Sequence, residues 1–349
     1  LMSHSDDIKT DHTKMCLFEK VCAKTTQFVG GDLDRDEFLE MFGRAWINSH
    51  SVSSMIGEEI GTAIDLGISK YDHSCRPNCT LVYDGYTAIL RPITANVDVT
   101  DIKTAHFSYV EVAYSKYLRR KMLWANWYFH CECSRCSQPM DDLYTAIKCG
   151  NPDCERPIFV DEITTPREIT CRECGMTSTK QRVTDAINIM AHQPLRFDYS
   201  DEKTMPNIRK WLADASHLLY KHNVYYCRLL TAMQQAEPDD PEYGKLEWHR
   251  LVHDTYKRLL PQNHRHRGYQ NMHLIRCLIR QGDRLEAQAG AQEAADIFDW
   301  CFGADHAFTK QTRSLVEKLG LPEDRVTVNE LYELMNFGSA QIVERCEKW

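Results

Sequence analysis

Seven of the fifteen cysteines stand in two closely spaced groups, and thiols at such spacings are suited to binding a metal. The first group is Cys131-Glu-Cys133-Ser-Arg-Cys136. Three thiols do not complete a tetrahedral structural site, so a fourth soft ligand must come from elsewhere. Cys75, in Tyr71-Asp-His-Ser-Cys-Arg-Pro-Asn-Cys79, is the leading candidate, and Cys79 is a rival on spacing alone. The second group is Cys149-x4-Cys154, then sixteen residues, then Cys171-x2-Cys174. Two thiol pairs flanked by Gly150, Asn151, Pro152 and Gly175 read as a four-thiolate zinc ribbon, a closed and structural kind of site. Two zinc ions are therefore expected, in a reducing compartment. The other seven cysteines (Cys16, Cys22, Cys79, Cys227, Cys277, Cys301, Cys346) lack ligand spacing and are expected to be small buried apolar groups.

The elements that must position these thiols differ along the chain. Residues 1–60 read as helical: Asp34 and Asp36 can cap a segment in which Phe38, Leu39, Met41, Phe42, Ala45 and Trp46 recur at helical spacing. From about 60 to 109 the texture is short apolar runs between turns. Thr80–Tyr83, Asp84-Gly85 and Thr87–Leu90 form a hairpin pattern. Residues 110–130 return to helix, with Tyr117, Leu118, Met122 and Leu123 on one side, and 131–182 hold the cysteines with little periodicity. Beyond about Thr184 the expected helices are Ile208–Lys221, Tyr225–Ala236, Tyr243–Leu259, Arg267–Arg280, Arg284–Cys301, Thr309–Leu319 and Val328–Glu344. Paired helices of this length suggest a small tetratricopeptide-like array, with Tyr269, Met272, Ile275 and Ile279 as a core stripe.

Composition narrows the class. At 349 residues two or three domains are expected, and 43% hydrophobic with 26% charged residues is ordinary for a globular protein. No stretch approaches the roughly 20 apolar residues that cross a bilayer, and residues 1–14 show no charged-then-apolar leader. The net charge of −8 argues against a nucleic-acid surface, and so against the ribbon as a nucleic-acid binder.

The run Asp72-His73-Ser74-Cys75-Arg76-Pro77-Asn78 resembles the Asn-His-Ser-Cys-x-Pro-Asn segment of SET-domain methyltransferases, and Cys131-x-Cys133-x2-Cys136 resembles their post-SET zinc motif. Phe107-Ser108-Tyr109 stands where that family has its catalytic tyrosine, 22 residues before Cys131 and followed by a basic helix with Arg119, Arg120 and Lys121. This arrangement is similar to the SET-and-MYND subfamily, as is His264-Arg-His-Arg-Gly-Tyr-Gln270 further on.

The resemblance implies a mostly helical α+β chain. It would consist of a helical insert (1–60), the C-terminal half of a SET β-fold (61–112), a post-SET helix and zinc motif (113–137), a zinc ribbon (138–183) and a helical, tetratricopeptide-like domain (184–349). It implies S-adenosylmethionine-dependent methylation of protein lysines in the nucleus or cytoplasm, with a lysine-bearing protein as substrate and partner proteins on the helical domain. It chooses Cys75 over Cys79, makes Tyr109 catalytic and assigns cofactor contacts to Asn48, Ser69, Tyr71, Asp72, His73 and Phe129. Trp127 matches a neighbouring aromatic position with a different residue type.

Three departures accompany this. The first residue is Leu1, and the family's glycine-rich first strand and MYND finger are expected upstream of it. Asp72 replaces an asparagine, exchanging a donor-and-acceptor amide for a charged acceptor. The acidic Gly-Glu-Glu stretch before the tyrosine is replaced by Asp98–His106. A catalytically degenerate SET scaffold, holding partners on its helices and ribbon, is the alternative reading.

Overall fold

The computed structural model describes residues 1–31, 33–53, 59–84 and 87–336. Three helices come first: α1 Ser5–Thr10, α2 His12–Val29 and α3 Arg35–Ile47. The Asp34 carboxylate starts α3 by accepting from the N–H groups of Asp36 and Glu37. Ile8, Phe18, Cys22 and Leu39 form the small core between the three.

The helical reading of residues 1–60 ends at Ile47. Strand β1 Ser49–Ser53 pairs antiparallel with β2 Glu59–Ile64, because alternating serines around His50 and Val52 suit a half-buried pleat better than a helix. Strands β3 Cys79–Asp84 and β4 Thr87–Pro92 form the expected hairpin, with Asp84 opposite Thr87. The Asp-Gly turn extends, at Gly85, outside the described residues.

Helix α4 is Lys116–Trp127 and not the full 110–130. Ser115 caps it by accepting from the Leu118 N–H, and 110–114 before it is a turn in which the Tyr114 N–H donates to the Glu111 carbonyl at 3.2 Å. The thiol region contains the short α5 Ser134–Ser137 and four two-residue strands. Strand β5 Ile147–Lys148 pairs with β6 Pro157–Ile158, and β7 Ile169–Thr170 with β8 Thr177–Ser178.

The remaining helices are α6 Lys180–His192, α7 Thr204–Leu218, α8 Val224–Ala236, α9 Leu246–Leu259, α10 Arg265–Gln281, α11 Arg284–Phe302, α12 Ala307–Leu319 and α13 Val328–Glu333. Each from α6 to α12 packs on a sequence neighbour, so the region is an array of helix pairs. The sequence reading passed over α6, although Thr179 caps it and Val183, Ala186, Ile187 and Met190 bury one face at helical spacing. The expected last helix runs past residue 336, outside the described residues, as does Cys346. Among the other unclustered cysteines, Cys16 is exposed and the rest are buried.

Two cores divide the array. One joins α6–α9 to Val112, Ala113, Ile147 and Ile158. The other joins α10–α13 to Ile93, and includes Met272, Ile275 and Ile279, with Tyr269 packed on its edge. The β3–β4 hairpin is bolted to this second core. Arg91 donates to the carbonyls of Trp300 (3.1 Å) and Asp299 (3.3 Å), and Asn263 donates to that of Ile93 (3.1 Å). No described helix is long and apolar enough to cross a membrane.

The array hides histidines that burial keeps neutral. Burial pushes His249 down to about 4, with His273 and Arg280 adding to the effect. Burial and the charge of Arg276 push His273 to about 4 as well. In the unfolded chain these rings take up protons near 6.5, so the native state is favoured above that pH. It loses this advantage as pH falls from about 6.5 through 4. Urea unfolding at steps between pH 7 and 4 should show His249→Gln losing less stability than the parent, by up to about 3 kcal/mol at pH 4. Parallel pH curves for the two proteins would contradict the assignment.

Candidate metal centres and cleft

The loop carrying Cys75 is fixed by main-chain bonds. The Ser74 N–H donates to the Phe107 carbonyl at 3.0 Å, and those of Asn78 and Cys79 donate to the His106 carbonyl. On the other side α4 stops at Tyr128, whose left-handed backbone (φ 57°) turns the chain back. Two bonds from Arg120 hold the Cys131 carbonyl. Cys75, Cys131, Cys133 and Cys136 thereby place their sulfurs within 4.8 Å of one another. Cys75 lies 3.8 Å from Cys131 and 3.5 Å from Cys136. Four sulfurs at about 2.3 Å from one zinc stand about 3.8 Å apart, so this set fits that ion. Cys79 points away, packing with Ile68, Ala105 and Phe107, where burial pushes its thiol up to about 11.

Cys149, Cys154, Cys171 and Cys174 also converge within 4.8 Å, held by the two small hairpins. Cys149 lies 3.5 Å from Cys174, and Cys154 lies 3.9 Å from Cys171. Gly175, at φ 72°, closes the second knuckle by donating to the Cys171 carbonyl. The N–H groups of Cys174 and Glu173 hold the Cys171 thiol down at about 7, near the thiolate a metal needs.

Tyr109 lies on the wall of a cleft of about 1440 Å³ between the strands and the array. Its hydroxyl donates to the Tyr71 carbonyl at 2.5 Å, and its N–H donates to His73 Nδ1 at 3.0 Å. Burial, with a contribution from the Asp72 charge, raises the Tyr109 hydroxyl well above its ordinary value, so it remains protonated at neutral pH. Burial pushes His73 down to about 4. Its neutral ring accepts at Nδ1, which puts its proton on Nε2, 3.1 Å from the Cys75 sulfur. Rings surround Tyr109: Trp127 at 5.1 Å, Phe107 at 5.2 Å and Phe129 at 6.5 Å edge-on.

Asn48, Ser69, Asp72, His73, Trp127 and Phe129 all line this cleft. Asn48 follows α3 and donates to the Met2 and Arg44 carbonyls, while Ser69 donates to those of Asp65 and Asn48. Tyr71 stands behind the wall, its hydroxyl on the Val99 carbonyl. The structure thus gathers every expected site residue at the cleft, directly behind it, or in the two thiol clusters.

One pair escaped the sequence reading. Glu111 lies 3.2 Å from His266 on the array side of the cleft. Burial alone would raise the Glu111 carboxyl. His266, the Ala113 N–H and His264 outweigh it and hold the group well below the usual carboxylate range. Only the position of Glu111 two residues after Tyr109, and the His-x-His spacing at 264–266, signalled the pair.

A strand-and-loop core carrying a His-Ser-Cys loop and a cysteine cluster is thus joined to a helical array. The chain is related to the SET-and-MYND-type lysine methyltransferases. Histone-lysine N-methyltransferase ASHR1 of Arabidopsis thaliana is 25% identical over 336 residues, covering 91% of this chain and 68% of that protein. Histone-lysine N-methyltransferase SMYD3 of Homo sapiens is 22% identical over 286 residues, covering 81% and 59%. SET domain-containing protein 14 of Caenorhabditis elegans is 27% identical over 208 residues, covering 57% and 47%. The chain therefore spans between about half and two thirds of the lengths of these relatives. No family model matches it.

The clusters set a direct test. Elemental analysis of purified protein should give about two zinc ions per chain. Cys75→Ser should lose one of them, whereas Cys79→Ser should keep both. Equal metal content in the two variants would overturn the choice of Cys75.

Proposed function

We propose that the chain forms the catalytic and C-terminal part of an S-adenosylmethionine-dependent protein lysine N-methyltransferase. The observation that carries this reading is the protonated Tyr109 hydroxyl in an aromatic-walled cleft, beside the loop tied to the inner thiol cluster. The cofactor, when bound, supplies an activated methyl group on a sulfonium. The residues present suit such a group: ring faces at Trp127 and Phe129, polar edges at Asn48 and Ser69, and the Asp72 carboxylate to accept from an ammonium.

Each residue has a defined task. The walls formed by Tyr109, Trp127 and Phe129 exclude water, which disfavours a charged ammonium and lets the substrate lysine present its lone pair. The Tyr109 oxygen, fixed by donation to the Tyr71 carbonyl, holds the amine on line and faces the positive charge that develops during transfer. His73 holds the Tyr109 backbone in place through its Nδ1. Cys75, Cys131, Cys133 and Cys136 hold one zinc as a fastening between the two sides of the site. Cys149, Cys154, Cys171 and Cys174 hold another, with both sites structural.

The substrate is a lysine-bearing protein, met in the nucleus or cytoplasm, and the array and ribbon offer surfaces for partner proteins. The divisions at 1–60, 61–112, 113–137, 138–183 and 184–349 are part of this proposal, and helix α6, capped by Thr179, begins just before the last of them. A scaffold without catalysis is the second reading. It is favoured by Asp72, a carboxylate where the family's amide would stand.

The full-length protein separates the two. Calorimetry should show S-adenosylmethionine binding in both the parent and Tyr109→Phe. Transfer of labelled methyl to protein lysine should fall about 10²–10³-fold in the variant, the loss typical of one oriented catalytic hydroxyl or N–H. Absence of any cofactor binding by the parent would leave the scaffold.

A further inference from the structure

Two arginines are buried against the inner thiol cluster, and the methyl-transfer reading makes no use of them. Arg119 on α4 is 0% exposed and Arg135 on α5 is 7% exposed. They share a single carboxylate. Arg119 Nη2 donates to Asp141 Oδ2 at 2.6 Å, and Arg135 Nε donates to Oδ1 at 2.8 Å. Arg119 Nη2 also lies 3.6 Å from the Cys136 sulfur.

Charge this deep must be balanced locally. One carboxylate facing two guanidinium groups leaves one positive charge over. Arg119 Nε and Arg135 Nη2 are buried without a hydrogen-bond partner among the described residues, so no side chain or carbonyl absorbs the excess there. Four thiolates around a zinc ion carry two net negative charges. With metal bound, the surplus positive charge therefore faces an anionic cluster that Arg119 already touches at Cys136.

The same side chains reach toward the cleft. Arg135 Nη1 donates to the Cys75 carbonyl at 3.3 Å and to the Val112 carbonyl at 2.5 Å. Arg119 Nη1 donates to the Tyr114 carbonyl at 2.5 Å. Cys75 follows His73 by two residues, and Val112 follows Tyr109 by three. One guanidinium nitrogen thus ties together the two backbone segments that present His73 and Tyr109.

We infer that Arg119 and Arg135 are positioning residues that couple metal in the inner cluster to the geometry of the cleft. With metal present, the thiolates hold the guanidinium groups and these hold the carbonyls of residues 75, 112 and 114. With metal absent, the sulfurs are no longer fixed against the guanidinium groups, and the hold on those carbonyls loosens. The second cluster is more open, with Cys174 exposed and Cys154 half-buried. The inference rests on the proposed function only for the meaning of the residues positioned, since the metal and the backbone around it are read independently.

The test uses the zinc-loaded full chain and an excess of a chromogenic chelator. Zinc should leave in two phases, the faster from the exposed ribbon. Arg119→Met should accelerate only the slower phase, by about 10–100-fold, as losses of hydrogen bonds behind metal ligands do. Arg167→Met, an exposed arginine in the ribbon region, should change neither phase. Arg119→Lys and Arg135→Lys keep the charge but not the planar fork, and should accelerate the slower phase by a smaller factor, which carries the test if the methionine variant fails to fold.

Hydrogen exchange supplies a readout that general destabilisation would not mimic. Amides at 73–76 and 107–114 should lose protection in Arg135→Lys and in the metal-depleted parent, while those of α10–α12 keep theirs. An unchanged slow phase in folded variants, equal acceleration of both phases, or protection lost evenly across the chain would each overturn the coupling. None of these measurements needs methyl transfer, so failure of the proposed activity and failure of this coupling are told apart.

Discussion

The meeting of the Cys75 sulfur with those of Cys131, Cys133 and Cys136 is the constraint on which the rest of the site depends. It joins a loop that precedes the β3–β4 hairpin to a segment that follows α4, across more than fifty residues of intervening chain. Neither flank is long enough to hold such a crossing by apolar burial alone, since the core around the cluster contains few residues beyond the cysteines, Val110 and Leu123. A metal held by the four sulfurs would turn that weakness into a fixed point, because formation of such a site and formation of the fold are one event. His73, Tyr109 and Phe129 all lie within a few residues of a ligand or of the bridge that supports it, and so inherit its position.

Around that point the molecule uses polar bonds where apolar packing is thin. The Tyr109 hydroxyl and N–H are both engaged by groups from the His73 loop, so the ring cannot turn without breaking two bonds. Glu162 does similar service further out: it accepts from Ser115, which caps α4, and from Tyr225 on α8. It comes from the ribbon region, so the second thiol cluster anchors a loop that stitches the post-tyrosine helix to the array. The ribbon's sulfurs share a core with Val112, Ala113 and Tyr144, which argues for the ribbon as a spacer that sets the distance between strands and helices.

Legibility from sequence followed the range of the interaction. The two cysteine groups were readable because their ligands lie in short windows and few residue types bind zinc. The array helices were readable because each carries its own periodic stripe and most stop beside a Pro or Gly, as at Pro238, Pro261, Gly282, Gly303 and Gly320. Strand β1 was not, since Ser-His-Ser-Val-Ser acquires its conformation from pairing with Glu59–Ile64 and not from local preference. Helix α6 was hidden by its closeness to the last cysteine pair. Arg119 read as one of three basic residues on a helix beside Arg120 and Lys121, and only tertiary structure shows it to be entirely buried. The Glu111–His266 contact joins residues so distant in sequence that local spacing could mark each alone but not their meeting.

The cleft draws its walls from almost the whole chain, with Met2 and Asn48 at one end and Tyr269, Phe302 and His306 at the other. During synthesis the ribbon can close within a stretch of 26 residues, and the inner cluster once Cys136 has emerged. The cleft must wait until α11 has left the ribosome. For much of its time on the ribosome the nascent protein would therefore carry a finished tyrosine loop facing no opposite wall. Its aromatic lining would be open to solvent, where chaperones bind and where premature association begins.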